Sequence, residues 1–323
     1  MKNTMKYNML AGVAALSLLT GCEHEDLCYD HSHVVSLQVI FDWRQAPEAD
    51  PASMSLYLFP KSGGEVLRYE FIGRDGGQIV VPIGSYDAVC LNSDTEGMSY
   101  RNTERFETFE VTTHTTELLT RRLTELGVRS DTAPRAEGTG NERISLPADM
   151  LWSGSLRDIA LAETDVEPTI TLTPAVSVCH YRVEITDAEN VKYVKGLSAS
   201  LSSLSGGVAP ASGRMASERV TLPFTMQASA DYTTLSGELL TFGHCPDTEG
   251  MHTLIVYALL DDGNKIAYTC DTSEVTRQIH EAPDPRNVVI RLSGLPLPEP
   301  IPGGGGFQPS VDEWEEVGVD IIM

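Results

Sequence analysis

Val35-Ser36-Leu37-Gln38-Val39-Ile40-Phe41-Asp42-Trp43 decides the fold class. Val35, Leu37, Val39, Phe41 and Trp43 alternate with Ser36, Gln38 and Asp42, and a period of two puts one set on a buried face and the other on the opposite face of a strand. The same signal recurs downstream. Ala46-Pro47 through Asp50-Pro51 is a turn-rich connection. Met54 to Phe59 reads as a strand stopped by Pro60, Ser62-Gly63-Gly64 as a turn, and Val66 to Phe71 as the returning strand. Asp75-Gly76-Gly77 turns into Ile79-Val80-Val81, Pro82 and Gly84 interrupt, and Tyr86 to Leu91 continues. Phe106 to Val111 alternates once more. Short strands at regular spacing, with almost no helical periodicity, predict an all-β sandwich.

The second half repeats the pattern. Arg129 to Arg143 is polar and rich in Gly, Thr, Ala and Glu, and reads as a long, mobile loop. Leu146 to Leu161 holds either one helical turn or short strands. The first domain ends near Val166-Glu167-Pro168, and the second opens with Ile170 to Leu172 and the long strand Val176 to Ile185. Ala188 to Val194 forms a short helix. Strands follow at Leu197 to Ser205, Val220 to Ala228, Leu235 to Phe242 and Asn287 to Leu292. Thr253 to Leu260 and Lys265 to Cys270 flank the hairpin turn Asp261-Asp262-Gly263-Asn264. The expected organisation is therefore a signal peptide at 1–21, a tether at 22–33, sandwiches at 34–167 and 168–295, and a Pro/Gly linker with a C-terminal strand at 296–323.

The N-terminus has the form of a lipoprotein signal. Lys2 and Lys6 make a short basic region, and Met9 to Leu19 is an apolar run too short to span a bilayer permanently. It ends in Leu19-Thr20-Gly21-Cys22. Small residues before the cysteine fit the lipoprotein peptidase, and the Cys22 thiol is the nucleophile that takes a diacylglyceryl group. A third acyl chain on the new N-terminus gives stable anchoring. Removing the signal and its two lysines takes the net charge from −23 to −25 over 302 residues. That acidity argues against nucleic acid, whose phosphates need a basic footprint, and against electrostatic docking on anionic lipid.

The other end also carries a pattern. Pro296, Pro298, Pro300, Pro302 and the run Gly303 to Gly306 stiffen and then free the chain. Beyond them Val317, Val319 and Ile321 share a strand face, with Trp314 at its entry. An apolar strand does not stay bare in water, so this tail docks either on its own chain or on a partner.

A search for chemistry finds no enzyme. The chain has no P-loop, GxSxG elbow, HExxH or dinucleotide glycine fingerprint, and no catalytic residue, cofactor or metal site is assigned. Cys179 and His180 are strand neighbours that point to opposite faces, and a thiol nucleophile in the loop His244-Cys245-Pro246 would need a base from elsewhere in the chain. The acidic runs Glu23 to Asp26 and Asp312 to Glu316 lack the spaced oxygens of a calcium loop. Five cysteines besides Cys22 leave at least one unpaired. Cys179 shares parity with Tyr181, Val183 and Ile185, and Cys90 with Tyr86 and Ala88, so both read as small core residues. Tyr57, Tyr69, Tyr86 and Tyr100 are strand aromatics, read as packing rather than as a sugar platform.

Several segments resemble a known family: Phe41-Asp42-Trp43-Arg44 with Ala46 to Pro51 and Met54 to Pro60; Gly73-Arg74-Asp75-Gly76-Gly77; Pro82-Ile83-Gly84-Ser85-Tyr86-Asp87; Tyr193 to Leu197 with Leu204 to Gly207; and Gly306-Phe307 with Trp314-Glu315. Together they look like Bacteroidales lipoproteins related to fimbrillin-like proteins and FimB-type fimbrial anchors. The resemblance implies two tandem transthyretin-like (Greek-key) sandwiches on an outer-membrane lipid anchor at the cell surface. It also implies a role as a pilus anchor or accessory adhesion subunit that binds pilus subunits by strand addition. In such lipoproteins Glu23, Glu25 and Asp26 after Cys22 would act as a surface-export signal; the alternative is a solvated tether. A surface glycan-binding lipoprotein is the competing function.

Overall fold

The structure, a computed structural model, describes residues 33–163, 166–245, 250–299 and 313–319. Cys22, Glu23, Glu25, Asp26, Cys28 and Ile321 lie outside the described residues.

In the first half, β1 (Val34–Phe41), β2 (Ser53–Pro60), β3 (Leu67–Ile72), β4 (Gly76–Pro82), β5 (Gly84–Asn92), β6 (Met98–Arg101), β7 (Glu110–Thr113), β8 (Arg143–Ile144), β9 (Trp152–Leu161), β10 (Thr169–Leu172) and β11 (Ala175–Val176) follow in order, with a single helical turn, α1 (Arg121–Glu125), after β7. The order β10-β1-β4 makes one sheet and β11-β9-β5-β2-β3 the other. The alternation of β1 holds: Val35, Leu37, Val39 and Phe41 are buried, against Met54, Leu56, Leu58 and Leu172 among others.

The expected boundary at 167 falls inside this unit. Thr169 to Leu172, assigned from sequence to the second half, pairs in parallel with Gln38 to Phe41, because Ile170 and Leu172 continue the inward row of Val39 and Phe41. Ala175 and Val176 then pair with Ser153 and Trp152 of β9.

The second half contains β12 (Cys179–Thr186), β13 (Val194–Ser205), β14 (Gly207–Ala209), β15 (Arg214–Met215), β16 (Arg219–Ala228), β17 (Leu235–Thr241), β18 (Leu254–Leu260), β19 (Lys265–Cys270), β20 (Asn287–Ser293) and β21 (Glu315–Val319), with α2 (Thr272–His280) between β19 and β20. β16 belongs to both layers. Its first part pairs with β13 and its last residues, Met226 to Ala228, with β17. Pro223 stands near this switch, where one fewer ladder donor is tolerated. The arms β20-β12-β17 and β13-β18-β19-β21 face each other across Tyr181, Leu235, Val256, Tyr268 and Ile290.

Two features join the halves. β7 pairs with β14, Val111 opposite Val208, and a shared core of Tyr57, Phe59, Leu91, Phe109, Val208 and Phe242 lies beneath. The segment from β7 to β9 also crosses over the outer face of the second sandwich. Leu118, Leu119, Leu123, Val128, Ala133 and Ala136 pack on Ile255, Tyr257, Leu259 and Ala267. Gly196 permits the close approach of α1, since a Cβ there would stand 2.8 Å from Leu123 Cδ2 and 2.9 Å from Leu126 Cδ1.

Other expectations need correction. Residues 129–143 are not a free loop: Ala133, Ala136, Thr139 and Glu142 are buried, and Arg135 Nη2 donates to the carbonyls of Thr139 (2.6 Å) and Glu142 (2.7 Å). Phe106 to Val111 is not one strand. A turn closed by Phe109 N to Arg105 O (2.9 Å) buries Phe106 and Phe109 together, a three-residue spacing that a strand would place on opposite faces. Leu146 to Leu161 is mostly the long strand β9. The expected helix at 188–194 shrinks to a 3-10 turn, Val191–Tyr193. The linker begins later than 296, because Leu295 and Leu297 are buried and Pro296 O accepts from Tyr268 Oη (2.9 Å).

Candidate functional site

Trp314, Val317 and the backbone of Val319 come together on one edge of the second sandwich. The tight turn between β18 and β19 sets that edge: the Asp262 carboxylate accepts from Asn264 N and Nδ2, both at 3.0 Å, and Gly263 takes φ +92°. β21 adds to β19 in parallel, Glu315 opposite Ile266 through Val319 opposite Cys270. Residues of alternate parity reach opposite sides. Val317 packs against the main core. Trp314 enters the cluster beneath the crossing segment, its ring 5.5 Å from that of Tyr257 at 77°.

The two sides of this edge differ in quality. Tyr257 is fixed, its hydroxyl donating to Pro134 O at 2.8 Å with Ser200 Oγ at 3.1 Å, and burial pushes it up to about 12. Trp314 Nε1 is buried and has no acceptor among the described residues. A buried unpaired donor costs about 1–3 kcal/mol. Glu315 and Glu316 remain exposed. The strand is thus held by five residues of parallel ladder and two apolar contacts, against one unsatisfied donor.

Four strands from this edge, where β8 pairs with β16, the crossing segment is locked by charge. Arg101 Nη2 donates to Glu218 (2.6 Å) and Glu110 (3.0 Å), while Arg143 donates from Nε to Glu218 (3.0 Å) and from Nη1 to Thr113 O (2.7 Å). Burial alone would raise the Glu218 carboxyl, but the hydrogen bonds from Arg143 and Arg101 outweigh it and hold it below its ordinary value. The buried Glu142 carboxylate accepts from Ser203 N (3.0 Å), Ser203 Oγ (2.8 Å) and Thr221 Oγ1 (2.8 Å).

A histidine trio is the feature that sequence reading missed. His252 is buried; its Nδ1 donates to Ser202 O (3.1 Å) and its Nε2 lies 3.1 Å from His280 Nε2. The His244 ring stands 5.1 Å from that of His280. Burial, with smaller contributions from the other two imidazoles, lowers His252 to about 4. The three come from a loop, the approach to β18 and the end of α2, so no local spacing announces them. Among the described residues no three His, Cys, Asp or Glu side chains are grouped to hold a metal ion.

Other candidates resolve into structure. Cys90, Cys179, Cys245 and Cys270 are buried, and burial pushes Cys90 and Cys270 up to about 12 and Cys179 to about 11. His180 faces away from Cys179 and meets Glu238 at 3.0 Å. Tyr57 and Tyr86 are buried, Tyr69 Oη donates to Val80 O (2.8 Å), and Tyr100 stacks on Phe109, so the four tyrosines share no exposed platform. A cleft of about 710 Å³ opens where β16 leaves β13 for β17, beneath Leu146 and Pro147.

A family model described as a domain of unknown function, DUF5119, matches residues 21–225. The chain belongs to the DUF5119 family. The DUF5119 match takes in the first sandwich, the crossing segment and the second half as far as β16. A Bacteroides ovatus protein that bears the name "putative fimbrium anchoring subunit Fim4B" is 23% identical to this DUF5119 chain over 345 residues, covering 97% of each. The crystal structure of a "putative adhesin" from the same species superposes with a TM-score of 0.57 at 19% identity, covering 92% of this chain and 97% of that one. The fimbrial anchor protein Mfa2 of Porphyromonas gingivalis is a looser likeness, with a TM-score of 0.46 and 14% identity over 80% of this chain and 90% of its own. The resemblance read from the sequence segments is borne out by the family match and the Bacteroides ovatus relative, and the all-β fold is shared with the adhesin structure from that species.

Proposed function

We propose that this protein is a cell-surface fimbrial anchor or accessory adhesion subunit, tethered to the outer membrane by acyl chains on Cys22 and acting by binding rather than catalysis. The observation that carries the reading is the end-to-end likeness to a fimbrium anchoring subunit, 97% of both chains. A short parallel edge strand with an unsatisfied Trp314 donor is consistent with a segment that exchanges between its own sheet and a partner's. Release of Trp314 would let its Nε1 find water, which offsets part of the loss of apolar contact. Burial of the Cys90 and Cys270 thiols supports binding over nucleophilic chemistry there, since a thiol pushed up to about 12 carries almost no thiolate at neutral pH.

Affinity capture from native membranes tests the proposal. Pilus subunits should be recovered with the full-length protein and lost when the chain ends at Gly306. Recovery of glycans without pilus subunits would replace it with the glycan-binding reading.

A further inference from the structure

The outer face of the β10-β1-β4 sheet differs from the rest of this acidic chain. The chain has 46 Asp and Glu against 23 Lys and Arg. Yet the outward positions, which are the even-numbered residues of β1 and β4 with Thr169 and Thr171 of β10, include none of the four. They include exposed aliphatic groups instead: Val34 is 51% exposed, Val80 60% and Ile40 39%, with Ile83 at the sheet's end 37%. One carboxylate reaches over the face. Glu167 accepts from Ser36 Oγ (2.9 Å) and from Gln78 Nε2, and these hydrogen bonds, that of Gln78 foremost, hold it below its ordinary value.

The position of this face names its occupant. β1 begins at Val34, so the face stands at the root of the tether whose first residue is Cys22. Fully extended, that tether spans at most about 40 Å. The first sandwich is therefore confined near the lipid, and some face of it must look toward the membrane. A charged face would lose hydration on approach, whereas neutral polar groups and aliphatic side chains suit the headgroup boundary. With no Lys or Arg on it, the face has no attraction for lipid phosphate, so a zwitterionic surface suffices.

We propose that the outer face of the β10-β1-β4 sheet rests on the phospholipid surface that holds the acyl chains. The inference rests on the lipid-anchored reading of Cys22. In this pose the second sandwich, with β21 on its edge, is carried away from the membrane, and Glu167 sits at headgroup level with its hydrogen bonds intact.

The test uses the full-length lipidated protein in phosphatidylcholine–phosphatidylethanolamine vesicles that contain lipids with brominated chains. An environment-sensitive fluorophore is attached to Val80→Cys or, as a control on the far half, to Tyr232→Cys; Cys28→Ser removes the competing thiol of the tether. Quenching at position 80 should exceed that at 232 by roughly threefold or more, as expected for a face within about 5–10 Å of the acyl boundary. It should be unchanged between about 0.1 and 0.5 M salt. Val34→Asp with Ile40→Asp, both at outward positions, should bring the signal at 80 down to the control while flotation with the vesicles persists. Glu167→Gln should raise it. Equal quenching at 80 and 232 in protein that floats overturns the inference and leaves the anchor intact. Failure to float, with an unmodified Cys22 by mass spectrometry, overturns the anchor and this inference together. Protection at 80 that requires an added pilus subunit assigns the face to that protein instead.

Discussion

Acidification should weaken this protein through His252 before its carboxylates titrate. The side chain is 2% exposed, its Nδ1 proton is committed to Ser202 O, and its Nε2 faces His280. A second proton would put a charge in a buried site and set two N–H groups against each other. The folded-state value of about 4 lies below the unfolded 6.5, so the folded state binds fewer protons and stability falls as pH drops. The contribution is complete above pH 6.5 and is lost between 6.5 and about 4. At about 1.4 kcal/mol per pH unit, the loss over that interval is about 3 kcal/mol, and about 2 kcal/mol is gone by pH 5. The carboxylates held below their ordinary values, such as Asp271 under its hydrogen bond from Ser273, act in a lower window, beneath about pH 4. Urea unfolding of wild type and His252→Gln at pH 7.5, 6.0, 5.0 and 4.5 separates the two. The variant should be less stable at neutral pH and should lose less between 7.5 and 5.0 than wild type, which loses about 2 kcal/mol there through His252; what the variant still loses comes from His244, which burial also lowers. Parallel pH profiles for the two proteins would refute the assignment to His252.

Three further outcomes concern the sheets. Val39→Asp places a charge on the inward row of β1 and should cost at least about 4 kcal/mol by chemical denaturation, whereas Gln38→Asp on the outward row should cost under about 1; equal costs would mean the register is wrong. Trp314→Phe keeps the ring against Tyr257 and removes the unsatisfied donor, so its melting temperature should match or exceed wild type, while Trp314→Ala should lower stability by about 1–3 kcal/mol. Gly76→Ala should destabilise by about 2 kcal/mol or more, because φ is +89° and a Cβ would stand 2.3 Å from Val39 O; a neutral effect in thermal melts would contradict that tight entry to β4.

Strands whose one face is buried were the most legible part of the fold. In β1 and β12 the inward residues alternate with polar ones, and both register and core membership follow. β2 and β5 carried a further signal. Leu56-Tyr57-Leu58-Phe59 and Ala88-Val89-Cys90-Leu91 are apolar on both parities, as strands covered on two faces must be, and their second face is the joint between the halves. The domain boundary was hidden because β10 pairs with a strand about 130 residues earlier, a choice made by a long-range match of apolar rows that local pattern cannot rank. Helix α2 was overlooked despite its Asp271 cap, which accepts from Ser273 N and Glu274 N, and its inward Val275 and Ile279. Gln278 on α2 also closes the edge of β20, bonding both the N–H and the C=O of Arg291 at 2.7 Å. The tail strand at Trp314 and Val317 was legible from alternation; its docking on β19 depends on which neighbour has a free edge. The histidine trio had no sequence signature, because its members come from elements that meet only in the folded sandwich.

The central claim is that the chain holds fimbriae to the cell through lipid on Cys22. The most direct measurement replaces wild type by Cys22→Ala in cells that assemble fimbriae and compares fimbrial protein on cells with that in the medium. The account predicts that fimbriae still assemble but are shed, with the fimbrial signal moving from the cell fraction to the medium. Fimbriae that stay cell-bound, with the variant present at wild-type level, would contradict it.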